Sequence, residues 1–374
     1  MVVVDTVLLK VASRCNINCR YCYVFNMGDT GWSRSPKLMS AETCHTAATA
    51  LGRLAVAQGR GFSVVLHGGE PLLLGLTRLR SLIATLRDAL PAGSPIGIQT
   101  NGVLIDRDTL DACAEAGVTI AVSLDGPQAV HDAHRVGFND AGTFDAVMRG
   151  LALLRAHPAG GALFTGLLAV IDPTSNPREV YGFFKALNPP SVDFIYRDGN
   201  HSRLPAGKRA IDTSEYGEWM VGLLDAYLDD SEPIAIRVLD DMIRMTLGGT
   251  GASDDTGVDD YGILIIDTDG TVTKNDTLKS VFDGADRFES PQSVYTHHLR
   301  DVVGSDEFVR SHAAQRPSSA TCRACPYLAT CGGGMLLHRW RNDTGYDNPS
   351  VYCADQRVLL THIRHRLATV GVIS

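Results

Sequence analysis

Cys15-Asn16-Ile17-Asn18-Cys19-Arg20-Tyr21-Cys22-Tyr23 decides how this chain reads. Its three thiols stand four and three residues apart, just after the strand-like run Val2 to Val11, so they belong on the loop leaving the first strand. A structural zinc ion wants four ligands, and this loop offers three with no nearby His to close the shell. Disulfides want an even number of cysteines and a secreted setting. Three cysteines on one short loop suit an iron–sulfur cluster with one iron free of protein ligands, and such an iron can bind and reduce a second molecule. A partial metal site, or plain reduced loop thiols, is the alternative reading.

The bulk properties narrow the function. A chain of 374 residues is long enough for a large core and two domains, and 44% hydrophobic with 20% charged residues is ordinary for a globular protein. The net charge is −8 and no run of Lys or Arg forms a stripe, which argues against nucleic acid as the main substrate. Met1 to Lys10 is apolar but lacks a basic start and a cleavage site, and Gly161 to Ile171, the longest apolar stretch, is too short to span a bilayer. No membrane association is expected. The nine cysteines are an odd number, and seven fall in two groups, which points to metal ligation in a reducing cytoplasm.

Strands and helices alternate over the first 200 residues. Ser40 is placed to cap a helix running to Ala57, and helices are expected over Leu72–Leu90, Asp106–Ala116, Gly142–His157 and Pro177–Leu187. Between them lie strands ending at Leu66, Gln99, Leu124, Ile171 and Tyr196. With the first strand this makes six, a rhythm that predicts an α/β fold with a parallel sheet, either an open barrel or a doubly wound sheet. Both place ligands at the C-terminal ends of the strands. Those ends carry His67-Gly68-Gly69-Glu70-Pro71, Gln99-Thr100-Asn101-Gly102 and Ser123-Leu124-Asp125-Gly126-Pro127. Two glycines let backbone approach a ligand closely and Glu70 could accept from an ammonium group, although an ordinary tight turn explains the same residues. His67, His131 and His134 read as satisfied imidazoles, and Cys44 and Cys113 as core thiols. Two more helices, Thr213–Leu228 and Ile234–Leu247, precede a Gly-, Thr- and Asp-rich linker, Gly248–Asp260. Beyond it, Tyr261–Asp267 and Thr271–Thr273 flank Asp269-Gly270 as a β-hairpin. Cys322, Cys325, Cys331 and Cys353 then offer four thiolates, a complete shell for zinc or for a cluster.

The C-x3-C-x2-C loop and the Gly68-Gly69-Glu70-Pro71 turn after the second strand together resemble the radical S-adenosylmethionine (SAM) family. The resemblance implies a partial (β/α)6 TIM-like barrel. It implies a [4Fe–4S] cluster on Cys15, Cys19 and Cys22 that binds SAM, with Tyr21, Gly68, Gly69, Glu70, Gln99, Asn101, Ser123 and Asp125 as cofactor contacts. Asp132 and Arg135, in the segment typical of the peptide-modifying branch, are expected to form a structural ion pair. The four later cysteines resemble the SPASM extension of radical SAM peptide maturases, a small α+β iron–sulfur domain, and imply a second [4Fe–4S] cluster. The implied division is 1–230 barrel, 231–260 helical bridge and linker, and 261–374 SPASM-like domain with a last helix over Tyr352–Thr369.

Members of that group often carry two auxiliary clusters, but here Lys274-Asn275-Asp276, Met335 and Tyr261-Gly262 stand where the first set would need cysteines. Two clusters in all are therefore expected, and the departure argues against a sulfatase-maturase identity. The tail His338-Arg339-Trp340-Arg341 with Gly345-Tyr346-Asp347-Asn348-Pro349 looks like that of short cyclophane-forming maturases. The implied activity is a cross-link between a side-chain carbon and an aromatic ring of a ribosomally made precursor peptide. Asp276 falls where sulfatase-maturase relatives place a carboxylate beside the substrate, making it a candidate base; a plain turn Asp is the other reading. The electron would come from a donor such as flavodoxin or ferredoxin. The chain starts at its first strand, so leader recognition is expected in the barrel, in the C-terminal domain or on a separate leader-binding protein. The competing functions are formylglycine-type oxidation, epimerisation or small-molecule dehydrogenation by the same chemistry, and a zinc-stabilised peptide-binding module with none.

Overall fold

The computed structural model describes residues 2–251, 256–369 and 371. Its contacts divide the chain into two units, neither contiguous: residues 1–124, 131–166 and 261–312 form one, and 125–130, 167–260 and 313–374 the other.

The first unit is built on β1 (Thr6–Ala12), β2 (Ser63–Gly68), β3 (Ile96–Thr100) and β4 (Thr119–Ser123), each paired in parallel with the next. β1 is buried along nearly its whole length, as the near-continuous apolar run Val7-Leu8-Leu9 requires of a strand covered on both faces. Helices Ala41–Gln58, Leu76–Ala89 and Arg107–Ala116 make the crossovers. The first begins where Ser40 Oγ accepts from the Thr43 N–H and stops at Gly59, whose φ of +72° the left-handed cap requires. The helix expected over Leu72–Leu90 is split: Pro71–Leu74 is a 3₁₀ turn and the α-helix starts only at Leu76, because Gly75 sits at φ +78° and ψ 154°, outside any helical region.

The hairpin past residue 260 joins this same sheet. β7 (Ile263–Ile266) runs parallel to β1, with Thr6 opposite Ile263 and Leu9 opposite Ile266. β8 (Thr271–Thr273) returns antiparallel through the Asp267–Gly270 turn, and β9 (Gln292–Ser293) adds to it. Asp5 fixes the register by accepting from the Gly262 N–H at 2.7 Å, and a Cβ on Gly262 would lie 1.9 Å from the Val3 carbonyl oxygen. Leu8 and Leu9 thus bring Lys10 alongside Asp267, at the end of the sheet where the cysteine loop leaves.

In the second unit, β5 (Phe164–Val170) and β6 (Val192–Ile195) pair in parallel from Leu167 onward. Helix Glu215–Asp229 packs on Pro177–Leu187 and on Cys353–Thr369. Gly217 makes the second contact possible, since a Cβ there would come within 2.5 Å of the Asp355 carbonyl oxygen. Asp355 is pinned by Lys208 at 2.6 Å and by the Gly217 N–H at 2.9 Å, with both charged side chains fully buried. This lock sets the start of the last helix, which carries Cys353. Of the expected linker Gly248–Asp260, residues 252–255 lie outside the described residues. Gly257 is packed: its N–H donates to Thr330 O at 2.9 Å, next to Cys331.

Candidate functional site

The cysteine loop is held by backbone before any ligand is considered. Asn18 N–H donates to Val136 O at 2.7 Å, Arg20 N–H to His134 O at 2.9 Å, and Cys22 N–H to Cys19 O at 3.0 Å. Asn101, at the end of β3, donates from Nδ2 to Asn16 Oδ1 at 2.7 Å and reaches Cys15 Sγ at 3.7 Å. Arg135 comes within 3.8 Å of Cys19 Sγ, with its guanidinium 5.5 Å from the Tyr21 ring centroid. Burial pushes the Cys15 thiol up to about 12, and nearby Glu70, Cys19 and Cys22 add to it. Metal binding reverses that balance, because a coordinating thiol is deprotonated outright. The donors aimed at two of the three sulfurs therefore suit thiolates better than thiols.

Gly68 and Gly69 close against this loop. Gly68 stands at φ +141° with an added Cβ 2.1 Å from Ala12 O, and a Cβ on Gly69 would lie 2.2 Å from Arg14 O. Both glycines line a cavity of about 230 Å³ with Lys10, Ser13, Asp267 and Lys279. Gly69→Ala is expected to weaken SAM binding by about tenfold or more, because Arg14 and with it Cys15 must shift; equilibrium binding of SAM to reconstituted protein measures it.

Glu70 is fully buried, and its carboxylate is occupied within the chain. Oε1 accepts from the Leu72 N–H at 3.0 Å and Thr100 Oγ1 at 2.7 Å, and Oε2 from the Asn101 N–H at 2.8 Å. Burial lifts its pKa to about 7 against the pull of those donors. Its visible work is to tie the end of β2 to the end of β3. Gln99 Nε2 donates to Ser123 Oγ at 3.0 Å, linking two more predicted contacts across neighbouring strand ends. Asp125, 3% exposed, accepts from the Val170 N–H at 3.1 Å.

Asp132 caps helix Phe144–Ala156 through the Thr143 and Phe144 N–H groups, at 2.8 and 2.9 Å. Arg135 instead faces Tyr21 and Cys19, a neighbour of the cluster loop that sequence reasoning missed. His131 is satisfied by Thr143 Oγ1 at 3.1 Å. His67 differs: burial pushes it down to about 4, so the ring is neutral, and its Nδ1 has no partner.

Asp276 is no solvated turn residue. It is 2% exposed at the start of the 3₁₀ turn Asp276–Ser280, and three groups donate to it: Lys10 Nζ at 2.5 Å and Lys279 Nζ at 2.6 Å to Oδ1, and the Tyr23 hydroxyl at 2.6 Å to Oδ2. Burial alone would raise its pKa, but the two ammonium groups outweigh burial and hold it far below the usual carboxylate range. Lys279 also meets Asp286 at 2.7 Å and Asp267 at 3.7 Å. Neither Lys10 nor Lys279 was legible as a site residue, because each sits in a segment that reads as ordinary strand or turn.

The four later cysteines meet in the second unit. Ser319 caps the short helix Ala320–Arg323 that carries Cys322, Gly332 at φ +63° ends the one carrying Cys331, and the last helix supplies Cys353. All four line one cavity of about 210 Å³, room for a group of several atoms. Burial pushes Cys331 up to about 12, and Cys353, Cys322 and Cys325 add to it. Among the described residues no three His, Cys, Asp or Glu side chains converge on a single metal ion. No described helix is long and apolar enough to cross a membrane.

Known proteins share this geometry and part of this sequence. The profile described as the Radical SAM superfamily matches residues 9–187. The cysteine-type anaerobic sulfatase-maturating enzyme of Clostridium perfringens (strain 13 / Type A) is 24% identical over 98% of both chains. The solved structure of anSMEcpe with bound AdoMet overlays with a TM-score of 0.83 at 20% identity, covering 98% of this chain and 99% of that one. Streptococcus suis SuiB bound to its precursor peptide SuiA overlays with a TM-score of 0.65 at 14% identity, covering 94% and 76%. The cysteines missing from the first auxiliary set therefore do not separate this chain from the sulfatase-maturating group in overall likeness. The overlays show the fold to be α/β with a radical SAM partial barrel. Residues 9–187 thus carry a Radical SAM domain, and the chain is an enzyme similar along its length to sulfatase-maturating enzymes, with SAM and [4Fe–4S] as the cofactor chemistry of that domain.

Proposed function

We propose that this enzyme forms a cyclophane-type C–C cross-link in a ribosomally made precursor peptide. The observation that carries the reading is the buried Asp276, held in its ionised form by Lys10 and Lys279, which line the same cavity as Gly68 and Gly69. In this reading residues 1–230 carry the SAM chemistry, 231–260 bridge, and 261–374 carry the auxiliary cluster. Cys15, Cys19 and Cys22 would hold one [4Fe–4S] cluster, and Tyr21, Gly68, Gly69, Glu70, Gln99, Asn101, Ser123 and Asp125 would contact SAM. Cys322, Cys325, Cys331 and Cys353 hold the second cluster. Bound at the first cluster, SAM would supply radical chemistry for hydrogen abstraction from an unactivated C–H bond.

Joining that carbon to an arene leaves one proton and one electron to lose. The ring proton is acidic once the new bond has broken aromaticity, so a weak base suffices. Asp276 is a weak base, since two lysines hold its pKa down. The electron needs an acceptor, and the four-cysteine site is where the chain could hold one. Glu70 and Asn101 keep the cysteine loop and the strand ends in register.

Formylglycine-type oxidation is the second reading, favoured by the full-length likeness to sulfatase-maturating enzymes. It asks for a proton from a Ser hydroxyl or Cys thiol, which a clamped carboxylate takes less readily. Mass spectrometry of a co-expressed candidate peptide separates the two. Loss of two hydrogens with an altered aromatic fragment pattern is the expected result; loss of two at Ser, or at Cys with exchange of sulfur for oxygen, with aldehyde reactivity, would replace it with the second reading.

A further inference from the structure

Arg339 is among the largest fully buried side chains, 1% exposed, inside the second unit. A buried guanidinium normally meets a carboxylate, because an unpaired charge taken out of water costs several kcal/mol. Here Nη2 donates to the carbonyl oxygen of Gln315, while Nε has no partner and no acidic side chain forms an ion pair with Arg339 among the described residues. The acidic groups near enough to act on it once ionised are Cys322 and Cys331. His338 next to it is equally buried and is held neutral, so it adds no charge of its own. The chain thus buries a cation and withholds the protein anion that would balance it. The missing counter-charge matches what four thiolates and a [4Fe–4S] core carry together, a net negative group.

We propose that Arg339 is the internal counter-ion of the four-cysteine cluster and holds its reduction potential up, so that the cluster accepts an electron more readily. The proposal rests on the auxiliary-cluster reading above. Net charge and hydrogen bonding around the sulfurs are the levers that set such potentials. A fixed positive charge stabilises the more negative, reduced state. Arg339 is a positioning residue in this sense: it touches no substrate and acts through the cluster.

The test uses the full chain with Cys15, Cys19 and Cys22 all changed to Ala, so that only the later site holds iron. After anaerobic reconstitution, iron and sulfide are counted and the midpoint potential is read by spectroelectrochemical titration with electron paramagnetic resonance. Arg339→Gln is expected to keep iron and sulfide and to move the potential negative by about tenfold in the reduction equilibrium, ~59 mV for one electron. Arg339→Lys, which keeps the charge, should recover most of that shift. An unchanged potential in Arg339→Gln, or a shift in Arg339→Lys as large as in Arg339→Gln, overturns the proposal. Zinc without iron in the parent would instead overturn the cluster reading beneath it, a failure that metal analysis distinguishes. Should Arg339→Gln load no cluster, the chelated full chain decides. There Arg339 is an uncompensated buried charge, so Arg339→Met is expected to raise Tm. A lowered Tm would make Arg339 a packing residue and end the proposal.

Discussion

Asp276→Asn is expected to lower cross-linked product by at least about 100-fold, the scale of a lost general base, while 5′-deoxyadenosine is still released. The reason is the separation of tasks within one unit. Neither the three cysteines nor Gly68-Gly69 bonds to Asp276, and Tyr23, which does, keeps an amide oxygen to donate to, so SAM cleavage can proceed, while the proton of the proposed cross-linking step loses its acceptor. The same substitution is expected to cost about 3–5 kcal/mol of stability, because it removes one partner from a buried ion cluster. Lys279 keeps Asp286 at 2.7 Å, but Lys10 retains only Asp267 at 4.0 Å. Uncoupled 5′-deoxyadenosine, measured beside product by liquid chromatography, distinguishes a chemical role from unfolding, since an unfolded enzyme makes neither.

Lys279→Met is the matched control. Removing that ammonium lets burial dominate, so the Asp276 pKa rises and the acid limb of the pH–rate profile moves to higher pH. The direction follows from the sign: a carboxylate held below its ordinary pKa stays ionised in more acid solution, and losing a cation takes that reserve away. A limb that stays in place would show that Asp276 is not the titrating group.

How much of this was legible depended on the range of the interaction. The cysteine loop reads directly, because ligand chemistry is written in residue type and short spacing. The start of the first crossover helix reads well for the same reason: Ser40 caps through a side chain three residues from its target. The break at Gly75 did not, since an apolar run continues across it and only the glycine's φ reveals the stop. The partner of the hairpin strand was also hidden. β7 pairs with β1 across more than 250 residues, and nothing local in Ile263-Leu264-Ile265-Ile266 names that partner. Lys10 therefore looked like an odd charge in a strand until Asp267, Asp276 and Lys279 arrived beside it. Arg339 looked like part of a basic tail, because sequence shows charge but not burial.

Changing Cys15, Cys19 and Cys22 together to Ala is expected to remove roughly half of the bound iron and all reductive cleavage of SAM, the largest effect of any substitution considered. The fold should survive, because backbone bonds to Val136 and His134 and the Asn101–Asn16 contact hold the loop without the sulfurs. The reverse set, Cys322, Cys325, Cys331 and Cys353 to Ala, is expected to remove the other half of the iron and to leave 5′-deoxyadenosine formation in place. Its cost falls on stability, since Cys322, Cys331 and Cys353 sit on three short or terminal helices and Cys325 in the turn between the first two, all lining one cavity. Metal binding at such a site is folding free energy. Product should vanish in both sets for different reasons: in the first no hydrogen is abstracted, in the second the electron left on the peptide has nowhere to go. Product made by the second set at the native rate would mean that the later cluster only braces its unit, and the electron acceptor would have to be sought elsewhere. 5′-Deoxyadenosine made by the first set would remove the open-iron reading from which the whole assignment starts.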